Sequence, residues 1–455
     1  MATPGPPDAV SVHADVAPAA TRPPRAPRPP RYPALDAVRG LAALAVVAFH
    51  AYKDLAGRPG WETPLGTVAF SLQWAVPVFF VLSGFLLYRP FAAAIAAGRD
   101  RPAAVPFLIR RAARILPAYW LALAVFGTLA KPGELWTPDG LVRYGLLVQV
   151  FDADTVYHVL GTAWSLSVEG AFYLALPVLA WVVGGLLDRS PGPFRHLAIL
   201  GALTAVAIAV RNAVVAPALG AAGQDPNLAG FTLAGSFQPF AAGMALAVLS
   251  VSRARLVQAA RGWPLGIPRA IARLLRAERP WLVAAIVAYG LGLVLEARHV
   301  GPWESTDFAA LAAVALLAPL VLRPTTSTLA RALGGSSALV GLGAVSYGLY
   351  LWHWPIQELA RARGFSVEGS ILGWAFGFAT IGVLGLAAAV ASHRLLEAPL
   401  NEWVRMRLAG GRRSVGGAAT AVGGLESGSL SDASEAAARP TRRTRSLRPA
   451  ESAEP

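Results

Sequence analysis

The chain has 455 residues, 55% of them apolar and only 15% charged, with a mean hydropathy of +0.50. That excludes an ordinary water-soluble domain, because several runs of about twenty apolar residues match the length a helix needs to cross a bilayer. The net charge of +14 sits in loops and tails between those runs, so topology accounts for it and no nucleic-acid partner is expected.

Residues 1–33, rich in Pro, Ala and Arg, read as a disordered basic tail without a cleavable signal, and 405–455 read as a second disordered tail. Between them, 34–404 reads as an all-α integral membrane domain. Ten spans are expected, at 35–54, 66–88, 115–130, 163–186, 196–218, 230–251, 281–297, 306–322, 337–360 and 370–393. An even number puts both termini on one side. The loops on that side hold most of the loop arginines, among them Arg89, Arg101, Arg253 and Arg276. The positive-inside rule therefore places both termini in the cytoplasm, in a multi-pass protein of the plasma membrane. The segment 131–162 is long enough to fold partly over the outer mouth. No internal repeat is visible, so nothing points to the inverted halves of many transporters.

Within the first span, Leu35-Asp-Ala-Val-Arg39-Gly is followed by an apolar run and then His50. Eleven helical positions separate Arg39 from His50, which leaves them on one face about 16 Å apart. Such a pair in a membrane helix is costly unless it faces protein or water, so it reads as a functional site, or else as an interfacial snorkel and cap. Pro77-Val-Phe-Phe-Val-Leu-Ser83-Gly84 follows in the second span, where Ser83-Gly84 reads as a close-packing pair. Before the third span, Arg110 and Arg114 share a helical face with Arg111 beside them. Guanidinium forks suit phosphate oxygens, as in a coenzyme A thioester, and equally suit anchoring at the cytoplasmic face. In Thr162-Ala-Trp-Ser165-Leu-Ser167-Val-Glu169, a hydroxyl lies one turn from a membrane carboxylate. Glu169 reads as a partner for an imidazole or an acceptor hydroxyl, or as a carboxylate favoured by the helix N-terminus. Ser346-Tyr347-Gly-Leu-Tyr-Leu-Trp-His353-Trp-Pro reads as an aromatic belt or a substrate wall. Leu395-Leu-Glu397-Ala-Pro399 reads as a helix exit. With no cysteine and no two histidines at ligand spacing, no metal is expected.

Taken in order, these stretches resemble acyltransferase family 3, an integral-membrane O-acyltransferase family, over residues 33 to 402. The resemblance implies that His50, Arg39 and Glu169 are catalytic, with His50 as general base. It also implies that Arg110, Arg111 and Arg114 bind the donor and that Ser167 belongs to a serine–glutamate motif with Glu169. Tyr119, Ser165, Tyr347 and His353, in the same stretches, are further candidate substrate contacts. The implied donor is cytoplasmic acyl-CoA, most simply acetyl-CoA. The implied acceptor is a hydroxyl of a sugar, glycan, lipid or secondary metabolite. Gly170 and Ala171 depart from the family's polar residues after the Glu, which bears on acceptor contacts. Many members carry a fused hydrolase-like domain after an extra span, and this chain is expected to act without one. Trp61, Trp136 and Trp303 suit a sugar or an amphipathic ring at the outer side. The alternative is a proton-coupled transporter in which Arg39, His50 and Glu169 form an ion path.

Overall fold

The structure, a computed structural model, describes residues 31–187, 192–259, 274–298 and 302–408. Apart from 31–33 and 405–408, the two expected tails lie outside the described residues, as does the side chain of Trp303. Every long element is a helix: α1 (Pro33–His50), α2 (Ala75–Ala96), α3 (Ala104–Ala130), α4 (Trp164–Leu187), α5 (Pro193–Val210) and α6 (Phe237–Ala259). They continue with α7 (Arg279–Ala297), α8 (Pro302–Leu322), α9 (Ser337–Ala344), α10 (Ser346–Ala362) and α11 (Ile371–Ser392).

Eight helical stretches among the described residues are long and apolar enough to cross a membrane. They fall at eight of the ten expected places. The eighth expected span is a shorter apolar helix, Asp307–Leu322. The ninth is not one helix: it breaks at Val345 into α9 and α10, where the Ser346 hydroxyl donates to the Gly343 carbonyl at 2.9 Å. The third starts at Ala104 rather than 115, which puts the arginine motif inside the helix. The last helical stretch runs through a π-helical turn (His393–Glu397) to Leu408, so 405–408 continue it.

Side-chain caps set several starts, as the sequence pattern favours. Thr137 accepts from the Gly140 amide at 2.9 Å to open a short helix at Pro138–Gly145, and Ser370 accepts from Gly373 at 3.0 Å to open α11. The segment 131–162 does fold, with a further short helix at Pro132–Leu135, and it is tied to α3 by Tyr119.

The bundle centres on α1, which packs on α9 and also meets α2, α10 and α11. Two thirds of its apolar window is buried, 67%, against 6% for α5 with its extension and for α7, which marks those two as the lipid-facing rim. The tightest pair is α2 with α6. A Cβ at Gly84 would collide with the Phe240 carbonyl, and one at Gly243 with the Val81 carbonyl. Gly343 gives the same close approach between α9 and the Asp36 carbonyl of α1. Small residues at crossings are how helices without a hydrophobic drive between them gain van der Waals contact. Gly84→Leu should therefore destabilise the fold by about 1–3 kcal/mol or more. Thermal unfolding in detergent should show a clear drop in Tm, and an unchanged Tm would mean that α2 and α6 part without cost.

Candidate active site

Two cavities meet inside the bundle. The inner one, about 200 Å³, takes Arg39 from α1, Ser83 from α2, Arg111 and Arg114 from α3, Ser165 and Glu169 from α4, and Tyr347 from α10. Arg111 and Arg114 stand one turn apart, so both guanidinium groups reach the same space. Arg110, on the adjacent face, is exposed and lines neither cavity. By spacing alone, Arg110 and Arg114 share a helical face. The helix instead turns Arg111 inward, beside the Phe107 ring at 6.0 Å from its centroid.

Among the described residues, no carboxylate lies within ion-pair distance of Arg39, Arg111 or Arg114. Glu169, the one acid in the inner wall, is occupied differently. Its Oε1 accepts from the Ser83 and Tyr173 hydroxyls, each at 2.5 Å. Ser83 is thus both a neighbour of the Gly84 crossing and a ligand of Glu169. Three guanidiniums against one carboxylate make this space strongly attractive to an anion, more so because desolvated walls screen poorly.

The outer cavity, about 560 Å³, is lined by His50 together with Trp74, Tyr157, Trp164, Phe231 and Trp354. Immediately after His50 the helix widens into a π turn, Ala51–Leu55, closed by the Ala56 amide on the Ala51 carbonyl at 3.1 Å. Asp54 lies in that turn, and its Oδ2 is 2.9 Å from His50 Nδ1. The contact sets Nδ1 as the protonated nitrogen and leaves Nε2 as the basic one, without a protein partner among the described residues. Gln357 Nε2 donates to the same Asp54 oxygen at 3.4 Å. The His50 ring also packs on His353, 5.2 Å between centroids, and edge-on to Trp354 at 4.9 Å. Gly161 makes room for Trp354, since a Cβ there would lie 2.7 Å from the indole.

The two cavities share Val76, Phe80 and Tyr350 in their walls. Tyr350 is pinned there: its hydroxyl lies 2.6 Å from Ser165 Oγ and donates to the Thr162 carbonyl at 3.0 Å.

The structure separates the candidate residues into three groups. Arg39, Arg111, Arg114, Ser165, Glu169 and Tyr347 meet in the inner cavity, where the Tyr347 hydroxyl donates to the Ile115 carbonyl at 2.8 Å. His50 stands in the outer cavity, and His353 is fully buried behind it with Nδ1 3.1 Å from the Leu349 carbonyl. Ser167 and Tyr119 line neither: Ser167 donates to the Ala163 carbonyl at 3.3 Å and Tyr119 to the Tyr144 carbonyl at 2.6 Å. Glu169 hydrogen-bonds to α2 and its own helix, whereas the carboxylate on the imidazole is Asp54. Asp54 was legible as an acid four residues after His50 on one helical face. Tyr350 and Trp354 lay inside the aromatic stretch already singled out. Of the outer tryptophans expected to face a ring, Trp61 and Trp136 line neither cavity, and Trp74, Trp164 and Trp354 take that place.

The family described as "Acyltransferase domain" matches residues 32–393, which is most of the chain. The chain belongs to acyltransferase family 3. It is an acyltransferase and a multi-pass membrane protein, which sets the ion-path reading aside. It is similar to the exopolysaccharide production protein ExoZ of Rhizobium meliloti, 26% identical over 336 residues, covering 71% of this chain and 88% of that one. It is also similar to nodulation protein 10 of Rhizobium leguminosarum bv. viciae, 25% identical over 358 residues, 73% of this chain and 84% of that one. A shorter match, 37% identical over 126 residues, is to acyltransferase MdmB of Streptomyces mycarofaciens; it spans 26% of this chain and 29% of that relative. No solved structure matches the chain.

The geometry gives Tyr119 a structural job. Tyr119→Phe should remove the shorter of the two hydrogen bonds to the Tyr144 carbonyl, which keeps the Leu147 amide at 3.3 Å, at a cost of about 0.5–1.5 kcal/mol. A lowered Tm with an unchanged KM for the acyl donor is the expected outcome, and a raised donor KM at unchanged Tm would restore Tyr119 as a substrate contact.

Proposed function

We propose that the enzyme moves an acyl group, most simply acetyl, from cytoplasmic acyl-CoA to a hydroxyl of a carbohydrate acceptor on the opposite face of the plasma membrane, with both termini cytoplasmic. The observation that carries this reading is the pairing of an anion-attracting inner cavity with an outer cavity that holds an Asp-oriented imidazole, across a shared wall. The name of one rhizobial relative, tied to exopolysaccharide production, agrees with a carbohydrate acceptor.

In this reading the phosphates of the donor rest on Arg111 and Arg114, with Arg110 at the exposed edge. The pantetheine arm passes Arg39 towards Tyr350. Arg39 and His50 are about 16 Å apart along one helix, a separation that suits a donor arm entering from one side and an acceptor from the other. The acceptor hydroxyl lies against His50 Nε2. Its oxygen attacks the thioester carbonyl carbon while Nε2 takes its proton, and Asp54 stabilises the imidazolium. The tetrahedral intermediate then collapses with cleavage of the C–S bond. The departing thiolate takes the proton from the imidazolium, so the products are an O-acyl ester and coenzyme A, and the base is restored. With Ser83 and Tyr173 both on Oε1, Glu169 keeps Oε2 for an amide N–H of the donor arm. That makes it a donor-positioning group. The absence of cysteine, and the sharing of Glu169 Oε1 between the Ser83 and Tyr173 hydroxyls, favour direct transfer over an acyl-enzyme.

Two predictions test this. Purified protein in liposomes with acetyl-CoA and a panel of sugars should release coenzyme A only when a suitable acceptor is present. His50→Ala should abolish that release, and Asp54→Asn should lower kcat by about a hundredfold or more while the protein still folds. Acceptor-dependent release that survives in His50→Ala would refute the base. Secondly, Arg111→Ala with Arg114→Ala should raise the acetyl-CoA KM by at least about tenfold, since each charge-assisted hydrogen bond contributes roughly 1.5–3 kcal/mol. Equal KM values in variant and wild type would remove the inner cavity as the donor site.

A further inference from the structure

Beyond the outer cavity lies a second one, about 320 Å³, lined by Ala153, Tyr157, Asp225, Asn227, Leu228 and Phe231 with Val156. It shares two of those residues, Tyr157 and Phe231, with the cavity that holds His50. Their rings meet edge to face, 5.7 Å between centroids and 81° between planes. The two aromatics thus form a common sill with one cavity on each side. Phe231 is itself braced by Trp164 at 4.9 Å.

Resting on the carbohydrate reading above, we infer that this second cavity is an acceptor subsite, and that the acceptor is an oligosaccharide or polysaccharide of neutral or amino sugars. One unit would lie at His50 and a neighbouring unit would cross the Tyr157–Phe231 sill. The chemistry of the wall supports a sugar. Aromatic faces pack on the C–H faces of pyranose rings, while side-chain amides and carboxylates match vicinal hydroxyls. Asn227 and Asp225 supply those polar groups. Asp225 Oδ1 already accepts from the Asn227 amide at 2.9 Å, which leaves its other oxygen for a hydroxyl. A carboxylate here disfavours an acidic unit.

Position decides between a sugar chain and a lipid tail. Val156 and Tyr157 belong to the segment between α3 and α4, and Asp225 to Phe231 to the one between the Pro193–Ala221 stretch and α6. Both lie outside the apolar spans. A chain that leaves His50 along this path enters water, where a polar polymer is stable and a hydrocarbon is not. Each cavity lies in the roughly 300–1,000 Å³ range of small-ligand sites, enough for a sugar unit of its own.

The test uses full-length protein in liposomes with acetyl-CoA, and offers glucose, galactose, glucosamine and N-acetylglucosamine, each with its two- to five-unit β-linked oligomers. The readout is the ratio of kcat/KM for the longest oligomer to that for the monomer. In wild type this ratio should be at least about tenfold for the preferred series, equivalent to roughly 1.4 kcal/mol. Asn227→Ala combined with Asp225→Asn, which keeps a side-chain oxygen for the turn, should reduce the ratio towards one. Ala153→Trp, which fills the cavity without removing a hydrogen-bonding side chain, should do the same. A ratio near one in wild type, or a ratio unchanged in both variants, would overturn the subsite while leaving a carbohydrate acceptor intact. Turnover only with non-sugar hydroxyls, or none with any probe, would overturn the carbohydrate reading and the subsite with it.

Discussion

A helix that carries a guanidinium and an imidazole through an apolar layer must be surrounded by protein or water, because either group facing lipid costs several kcal/mol. That constraint on α1 organises the rest of the molecule. Arg39 and His50 share one face, so the helices that cover that face have to leave two polar spaces at two depths. The lipid-facing rim falls to α5 and α7, whose apolar windows are only 6% buried; Arg195 and His196 sit in the first turn of α5, where His196 turns inward onto the Tyr88 hydroxyl at 2.6 Å. The enclosure is achieved by backbone proximity. Glycines at the α2–α6 and α1–α9 crossings bring main chains together where a methyl group would not fit, and this frees room elsewhere for cavities that are walled yet not filled.

The partition between the cavities follows from the same economy of polar groups. In a buried setting, each hydroxyl needs a partner. Tyr350 finds two at the start of α4, Ser165 and the Thr162 carbonyl, and so is held at the boundary. Ser165 is therefore held at that boundary, in the wall of the inner cavity. Under the proposed function, the pinned Tyr350 marks the junction of the donor and acceptor spaces, where the thioester would meet the acceptor hydroxyl.

Much of this was legible in the sequence, and what was missed has a physical reason. Span length and apolarity are local properties, so eight membrane helices appear where runs of apolar residues predict them. The break at Val345 was hidden because the apolar run continues through it, and weak helix formers such as Gly341, Gly343 and Gly348 are common enough in membrane helices not to mark an end. The arginine cluster was visible as composition, but the helix's rotation about its axis decides that Arg111 and not Arg110 faces inward, and periodicity alone leaves that phase open. Asp54 stands four residues after His50, a spacing that pairs side chains on a helix, but the π turn that seats its carboxylate on Nδ1 is not announced by the sequence. Ser167 and Tyr119 look like site residues by neighbourhood, yet their hydroxyls are consumed by the Ala163 and Tyr144 carbonyls. Spacing along a chain finds motifs, and only packing tells which members share a space.

Under the proposed function, with His50 as base and acyl-CoA as donor, the division of the two carboxylates carries a consequence for catalysis. Had Glu169 held the imidazole, donor binding and base strength would be coupled, since any movement of α4 on docking an acyl-CoA would shift the base. With Asp54 one turn from His50 on the same helical stretch, the orientation of the base is a local property of α1 and its π turn, supported from α10 by Gln357. Glu169 is then free to respond to the donor through α2 and α4 without disturbing the tautomer of His50. Two substrates arriving from opposite sides of a membrane, as in the proposed function, would need that independence. The base must be ready for the acceptor whether or not the donor space is filled, and the donor must be held whether or not an acceptor is in place.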